Sequence, residues 1–377
     1  MSEYQHYEFH SIDRPLSSDD MAAVGRMSSR VRLSSHKAVF TYSYSDYRYD
    51  AEEVLVDYFD FMLYIANWGT KRILMKFPLE LVDYNFLKRY RINFVTNYDQ
   101  EIRVLKRGKY VVIDIHYSEE EGLGWIDEGE YGYDFLGIRS EIMKGDYRSL
   151  FIIWLRFLHD LYMMGDFNPD YSIESELIPA NLLHLSSSGY AAKGLFGIDE
   201  DWLAAMRSYS NLEDEEVDDY ERRVLKMSKD QMIEYMRMIL REESHIKIRL
   251  TKELKGEALD KESASSLIKL KEIGEKALGI EQERSRAEEK RRTREMSKRM
   301  NKIRQDKDQI EKEVIGYIEQ GTSRGYRFAV SKLMELKAMN DYFETREDFE
   351  VIISKVSTDY SRKSSFIRML REEELIK

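Results

Sequence analysis

The sequence predicts an α+β protein. An N-terminal α/β sandwich in the order β-α-β-α-β-α-β-β precedes an all-helical region with a long charged helix and a C-terminal helical hairpin. Three observations predict it. Residues 4–117 alternate strand-like runs with helical ones, and helices layered on a sheet are the stable way to bury both. Nearly every segment after 134 has a helical rather than a two-residue period. Finally, RSRAEEKRRTREMSKRMNKIR (284–304) sets ten Lys/Arg against three Glu within a 377-residue chain of formal net charge -11. The chain is 42% hydrophobic and 12% aromatic, enough for real cores and unlike a disordered composition.

YEFHSID (7–13) reads as a strand. Pro15 and Leu16 lead into a helix that Ser17 or Ser18 can cap, with Asp19 and Asp20 at its positive end. AVFTYSYS (38–45) alternates as a half-buried strand, and AEEVLVDYFDFMLYIANWG (51–69) reads as a long helix closed by Trp68 and Gly69. RILMKF (72–77) is a strand, PLELVDYNFLKRY (78–90) a helix opened by Pro78, and EIRVLKRGKYVVIDIHY (101–117) a hairpin turning near Gly108. These elements form a module over 1–117. SEEEGLGWIDEGEYGYD (118–134), with seven acids and four Gly, is an acidic loop at its edge. A helical domain follows over 135–260, including the buried helix at 147–164 and a capping box at Ser228 and Gln231. The long charged helix occupies 261–320, and the hairpin 321–377, with Thr345 and Asp348 opening its second helix.

Met296, Met300, Ile303, Ile310, Val314 and Tyr317 step by fours and threes, with Lys307 as the one interruption. That is a short heptad seam, suited to a coiled coil or a docked helix and hence to self-association through 296–317. On its register Arg284, Arg291, Arg294, Lys298 and Lys302 project away from the seam. Three readings stay open for them. They solvate a helix held by pairs such as Glu288–Arg292 and Glu295–Arg299, they meet phosphates of DNA or RNA, or they clasp the acidic stretches 118–134 and 211–221.

Several chemistries are excluded by sequence. Zero cysteines remove disulfides, thiolate nucleophiles and Cys-based metal sites. GYAAKG (189–194) lacks the ending and the preceding strand of a phosphate-binding loop, and no GxSxG or HExxH is present. The longest apolar stretch, LFIIWLRFL (150–158), is too short to span a bilayer. The N-terminus has no secretory pattern, so a cytoplasmic protein without a membrane partner is expected. No cofactor is expected. Asp114 and His116 share a strand face and are the one candidate pair for a metal-dependent hydrolase or nuclease. Asp13 and Arg14 could form a ligand clamp or merely a strand-to-helix turn, and His159 beside Asp160 reads as a half-buried histidine.

YEFHSIDRPLSSDDMAAVGRMSSR, YFDFMLYIANWGTKRILMKFP and RKSSFIRML resemble an uncharacterised bacterial protein family. Its members open with YEF-x-x-x-D-R-P-L, continue through Y-F-D-x-x-L-Y-x-A-N-W-G-T and end in a basic helical tail. The likeness spans nearly the full chain, although this chain is poorer in proline around 170–180. It implies no catalytic residue or cofactor. The zinc-finger and helicase neighbours of similar proteins in bacterial genomes imply nucleic-acid-related assemblies, antiphage defence among them. The absence of catalytic signatures and the heptad seam make the expected function a non-enzymatic adaptor or scaffold subunit of an intracellular multi-protein assembly, with protein partners. The alternatives are a nucleic-acid-binding component and the Asp114/His116 hydrolase.

Overall fold

The structure, a computed structural model, describes residues 4–43, 47–93, 100–119, 131–165, 167–210, 220–255 and 266–376. It divides into two units, Met1–Ile280 and Glu281–Lys377. The first is built on one eight-stranded sheet. Its strands are β1 (Gln5–His10), β2 (Arg32–Leu33), β3 (Lys37–Tyr42), β4 (Phe61–Ala66), β5 (Lys71–Pro78), β6 (Ile92–Asn93), β7 (Glu101–Arg107) and β8 (Tyr110–Tyr117). They lie in the order β2-β3-β1-β4-β5-β8-β7-β6, every neighbour antiparallel. The α+β class stands.

Both faces of the central strands are covered. Phe9, Phe40, Met62, Leu74 and Val112 pack with α1 (Ser18–Gly25) and α2 (Ala51–Tyr58) through Val24, Val54 and Leu55. The opposite face presents Phe61, Leu63, Ile73, Met75, Ile113 and Ile115. After the short α3 (Tyr84–Leu87), it is covered by α4 (Leu136–Met143), α5 (Arg148–Met164), α6 (Ser187–Leu195) and α7 (Glu200–Arg207). A small ladder joins β9 (Ser172–Glu174) to β10 (Leu267–Lys269), and α8 (Tyr220–Val224), α9 (Lys229–Leu240) and α10 (Ile246–Lys255) lie between them in sequence. One core thus joins the sheet to helices that the sequence assigned to a separate domain after 134. The caps at Ser17 and Ser228 form as expected, each as a capping box.

The expected helix over 51–69 is corrected. It ends at Tyr58, and Phe61–Ala66 form β4, buried along its whole length. A strand covered on both faces is apolar at every position, and such a run does not differ from a buried helix in periodicity. Gly69, at φ 101°, turns the β4–β5 hairpin instead of ending a helix, and Trp68 beside it is exposed. Pro78 ends β5, and the expected helix over 78–90 is broken into single turns around α3. The Gly108 hairpin forms as read.

Burying a sheet twice leaves its polar side chains nowhere to find water, so each needs an internal partner. Glu8 on β1 is 0% exposed. It accepts from His10 Nε2 at 2.7 Å, His6 Nε2 at 3.2 Å, and the backbone N–H groups of Tyr131 (3.0 Å) and Gly132 (3.2 Å). Burial alone would raise its pKa, but these bonds hold the carboxyl far below the usual range. A Cβ on Gly132 would lie 2.6 Å from His10 Nε2 and 3.0 Å from Glu8 Oε1. Gly132→Ala is therefore expected to lower stability by about 1–3 kcal/mol, measured as a drop in the urea unfolding midpoint.

In the second unit, α12 (Lys307–Glu319), α13 (Ser323–Tyr342), α14 (Arg346–Asp359) and α15 (Ser364–Glu372) surround one core. The expected C-terminal hairpin is α13–α14, although Thr345 turns its hydroxyl to Asn340 Oδ1 (2.8 Å) rather than capping α14. The unit boundary falls inside α11 (Leu270–Gln305), whose Leu270, Ile273 and Ala277 are buried in the first unit. Met300, Ile303, Ile310 and Val314 of the seam are buried against α13, α14 and α15 of the same chain. Tyr317 packs partly buried beside them, while Met296 stays 47% exposed. At these positions the seam is occupied within the chain, the docked-helix form of the heptad reading.

Candidate functional site

Asp114 and His116 share a face of β8, with Asp114 fully buried. Arg72 Nε donates to Asp114 Oδ1 at 2.8 Å and Arg72 Nη2 to Oδ2 at 3.0 Å; Arg103 adds its Nε at 3.0 Å and its Nη2. Register explains the grouping: Asp114 faces Arg103 across the ladder, and His116 faces Arg72. Burial would raise the Asp114 pKa, but the bonds and charge of Arg72, then Arg103, lower it. A carboxylate saturated by four guanidinium donors is a structural ion pair rather than a general base or metal ligand. Among the described residues no group of three His, Asp or Glu could hold a metal ion.

Asp13 has a similar role. Arg139, itself nearly fully buried, clamps it bidentately at 2.7 Å on both oxygens and donates from Nε to the Lys76 carbonyl at 2.6 Å. His245 Nε2 lies 2.9 Å from Asp13 Oδ2, out of line for a good hydrogen bond. Arg14 turns instead to Asp20 at 3.0 Å, so no Asp13–Arg14 clamp forms. Asp60 accepts from the N–H groups of Ile12 (2.7 Å) and Asp13 (2.9 Å), and Lys76 donates to the last-turn carbonyls of α2 at Leu55 and Val56. Asp13, Asp60, Lys76 and His245 border a polar cavity of about 420 Å³. The first three are engaged by the fold, whereas His245 Nε2 and the Nε of Arg249, which also lines the cavity, are buried without a hydrogen-bond partner among the described residues. His159 packs half-buried against Trp202, ring centroids 5.0 Å apart and planes tilted by 50°, and burial lowers its pKa.

The charged helix differs. Arg286, Lys290, Arg294, Lys298 and Lys302 stand at four-residue intervals on α11, all exposed, along one groove of about 1060 Å³. Each step rises about 6 Å and turns about 40°, so the row covers roughly 24 Å while winding about 160° around the helix. Among the described residues none of the five has a carboxylate within 4.0 Å, although Glu289 and Asp306 also line the groove. Neighbouring cations are paired: Arg292 to Glu288 at 2.8 Å, and Arg291 to Glu295 at 3.9 Å, where the sequence suggested Glu295–Arg299. Of the five cations singled out by the heptad register, Arg294, Lys298 and Lys302 lie on the row, whereas Arg284 and Arg291 lie off it. Arg286 and Lys290 were missed. Counting cations at spacing four would have found them. The acidic stretches proposed as a clasp fall largely outside the described residues.

Compared with protein-family models, with curated proteins and with solved structures, the chain matches none.

The buried carboxylates make a direct pH prediction. Asp13 is pulled from an ordinary 3.8 to about 2: burial opposes the shift, and His245 and Arg139 outweigh it. A lowered folded pKa gives stability that is complete above the unfolded value and lost as pH falls through the folded one. The urea midpoint should therefore fall between pH 4 and pH 2. Asp114→Asn, which leaves Arg72 and Arg103 without their buried counter-charge, should cost about 3–5 kcal/mol at pH 7 and flatten part of that acid slope.

Proposed function

We propose that the chain is a nucleic-acid-binding component of a larger assembly, gripping a phosphate backbone with the α11 row. The observation that carries this reading is five exposed cations in one row without a carboxylate partner among the described residues. Like charges at i,i+4 destabilise a helix by a few tenths of a kcal/mol per pair, so four such pairs cost roughly 1–2 kcal/mol. A solvated helix would alternate sign, as the Glu288–Arg292 pair beside the row does. A polyanion converts the cost into affinity by releasing its condensed counterions. The overall charge of -11 gives the chain no general attraction for a polyanion, so binding depends on a local cationic cluster such as this row.

Five phosphate contacts would give a log–log salt slope near -3.5 on a single strand or -4.5 on a duplex. Replacing all five row residues by Glu should abolish binding of a fluorescent oligonucleotide at low salt and remove that slope. Retained binding with an unchanged slope would place the contact elsewhere.

A second reading, the adaptor, is favoured by α9. No residue of this helix is buried, and Met232, Met236, Ile239 and Leu240 form an exposed apolar stripe. Exposed apolar stripes of this kind mark protein interaction sites. A protein that copurifies from the host, survives nuclease and is lost in a Met236→Glu, Ile239→Glu variant would favour this reading. One lost on nuclease treatment would favour the first.

A further inference from the structure

Tyr342 from α13 closes the cationic groove at its Lys302–Asp306 end. Tyr342 is 42% exposed. Phe343 meets it edge-on, with centroids 5.0 Å apart and planes at 90°, and Phe343 in turn lies under the Arg304 guanidinium at 4.9 Å. An exposed aromatic ring is thus braced from behind where the row of charges ends.

Resting on the backbone-binding reading above, we infer that the row takes a single-stranded nucleic acid, with Tyr342 stacking one unpaired base. The exposed ring selects the single strand: stacking requires a base face that pairing would hide inside a duplex, and a cationic track with an aromatic platform is the usual construction for unpaired strands. The row, winding about 160° over roughly 24 Å, is a path that a flexible strand can follow. Thr293 Oγ1 donates to the Glu289 carbonyl at 2.9 Å, and Asn301 Nδ2 donates to the Ser297 carbonyl at 2.9 Å, so these two donors are engaged within the helix. Glu289 and Asp306 repel phosphates locally and confine the strand to the cationic side of the groove.

The test compares Tyr342→Ala and Tyr342→Trp with the parent protein on three ligands: a labelled oligothymidylate, a duplex of equal length, and inorganic polyphosphate, which has charge but no bases. The parent should bind the oligothymidylate at least tenfold more tightly than the duplex. Tyr342→Ala should weaken oligothymidylate binding by roughly fivefold to a hundredfold and leave polyphosphate binding unchanged. Tyr342→Trp should retain affinity and show its added indole quenched on binding. Thermal melts check that each variant is folded. Equal or tighter duplex binding overturns the inference, as does an oligothymidylate affinity indifferent to Tyr342→Ala, or a polyphosphate affinity that falls with it. Failure of the parent to bind any of the three ligands at low salt would instead remove the backbone-binding reading on which this one stands.

Discussion

The sheet of the first unit is buried on both faces, and most of what the chain does with its polar residues follows from that. Antiparallel sheets commonly leave one face to water. Here α1 and α2 cover one side and α4 to α7 the other, so a charged side chain on a central strand meets protein in either direction. Water cannot satisfy it. Glu8 is met by two histidines and two backbone N–H groups, Asp114 by two arginines, and Lys71 by Glu119 (2.6 Å) and the Leu195 carbonyl (2.7 Å). Each set ties a strand to a segment distant in sequence, so the buried charges fix register and loop placement together.

The same constraint decides which residues are available for recognition. Asp114 with His116, Asp13 with His245, and Glu8 with its histidines are pairings that invite a catalytic reading, and the first two sets are held in ion pairs that leave little capacity for a substrate. The α11 row is the opposite case. Its cations repel one another and lie in solvent, and none is paired with a carboxylate among the described residues. A group saturated within the fold is explained by folding. A costly and unpaired one calls for a partner, and a polyanion fits five charges at regular spacing.

Much of this was legible in the sequence, and the failures have physical reasons. The α+β class, the Ser17 and Ser228 caps, the Gly108 hairpin and the buried helix at 148–164 depend on local signals, and local signals survive folding. The 51–69 segment reads as a helix because β4 is buried on both sides and so loses the alternation that reveals a strand. The seam at Met300, Ile303, Ile310 and Val314 was found, but its partner was not, because a heptad pattern states that a face is covered and not by which helix. Asp114 was correctly placed on a face with His116. Its arginine partners sit 42 and 11 residues away, and only strand register brings them together. His6, Glu8 and His10 stand at alternate positions of one strand, a spacing without meaning until Gly132, 124 residues on from Glu8, lets a backbone close over them.

The most direct measurement is hydrogen exchange on the whole protein, read by mass spectrometry with and without a saturating oligothymidylate. Binding along the α11 row predicts slower exchange confined to residues 286–302 and to the end of α13 around Tyr342. The sheet and α9 should remain unchanged. Protection that falls on the first unit's sheet, or binding with no change in α11, would contradict the assignment of the row as the nucleic-acid surface.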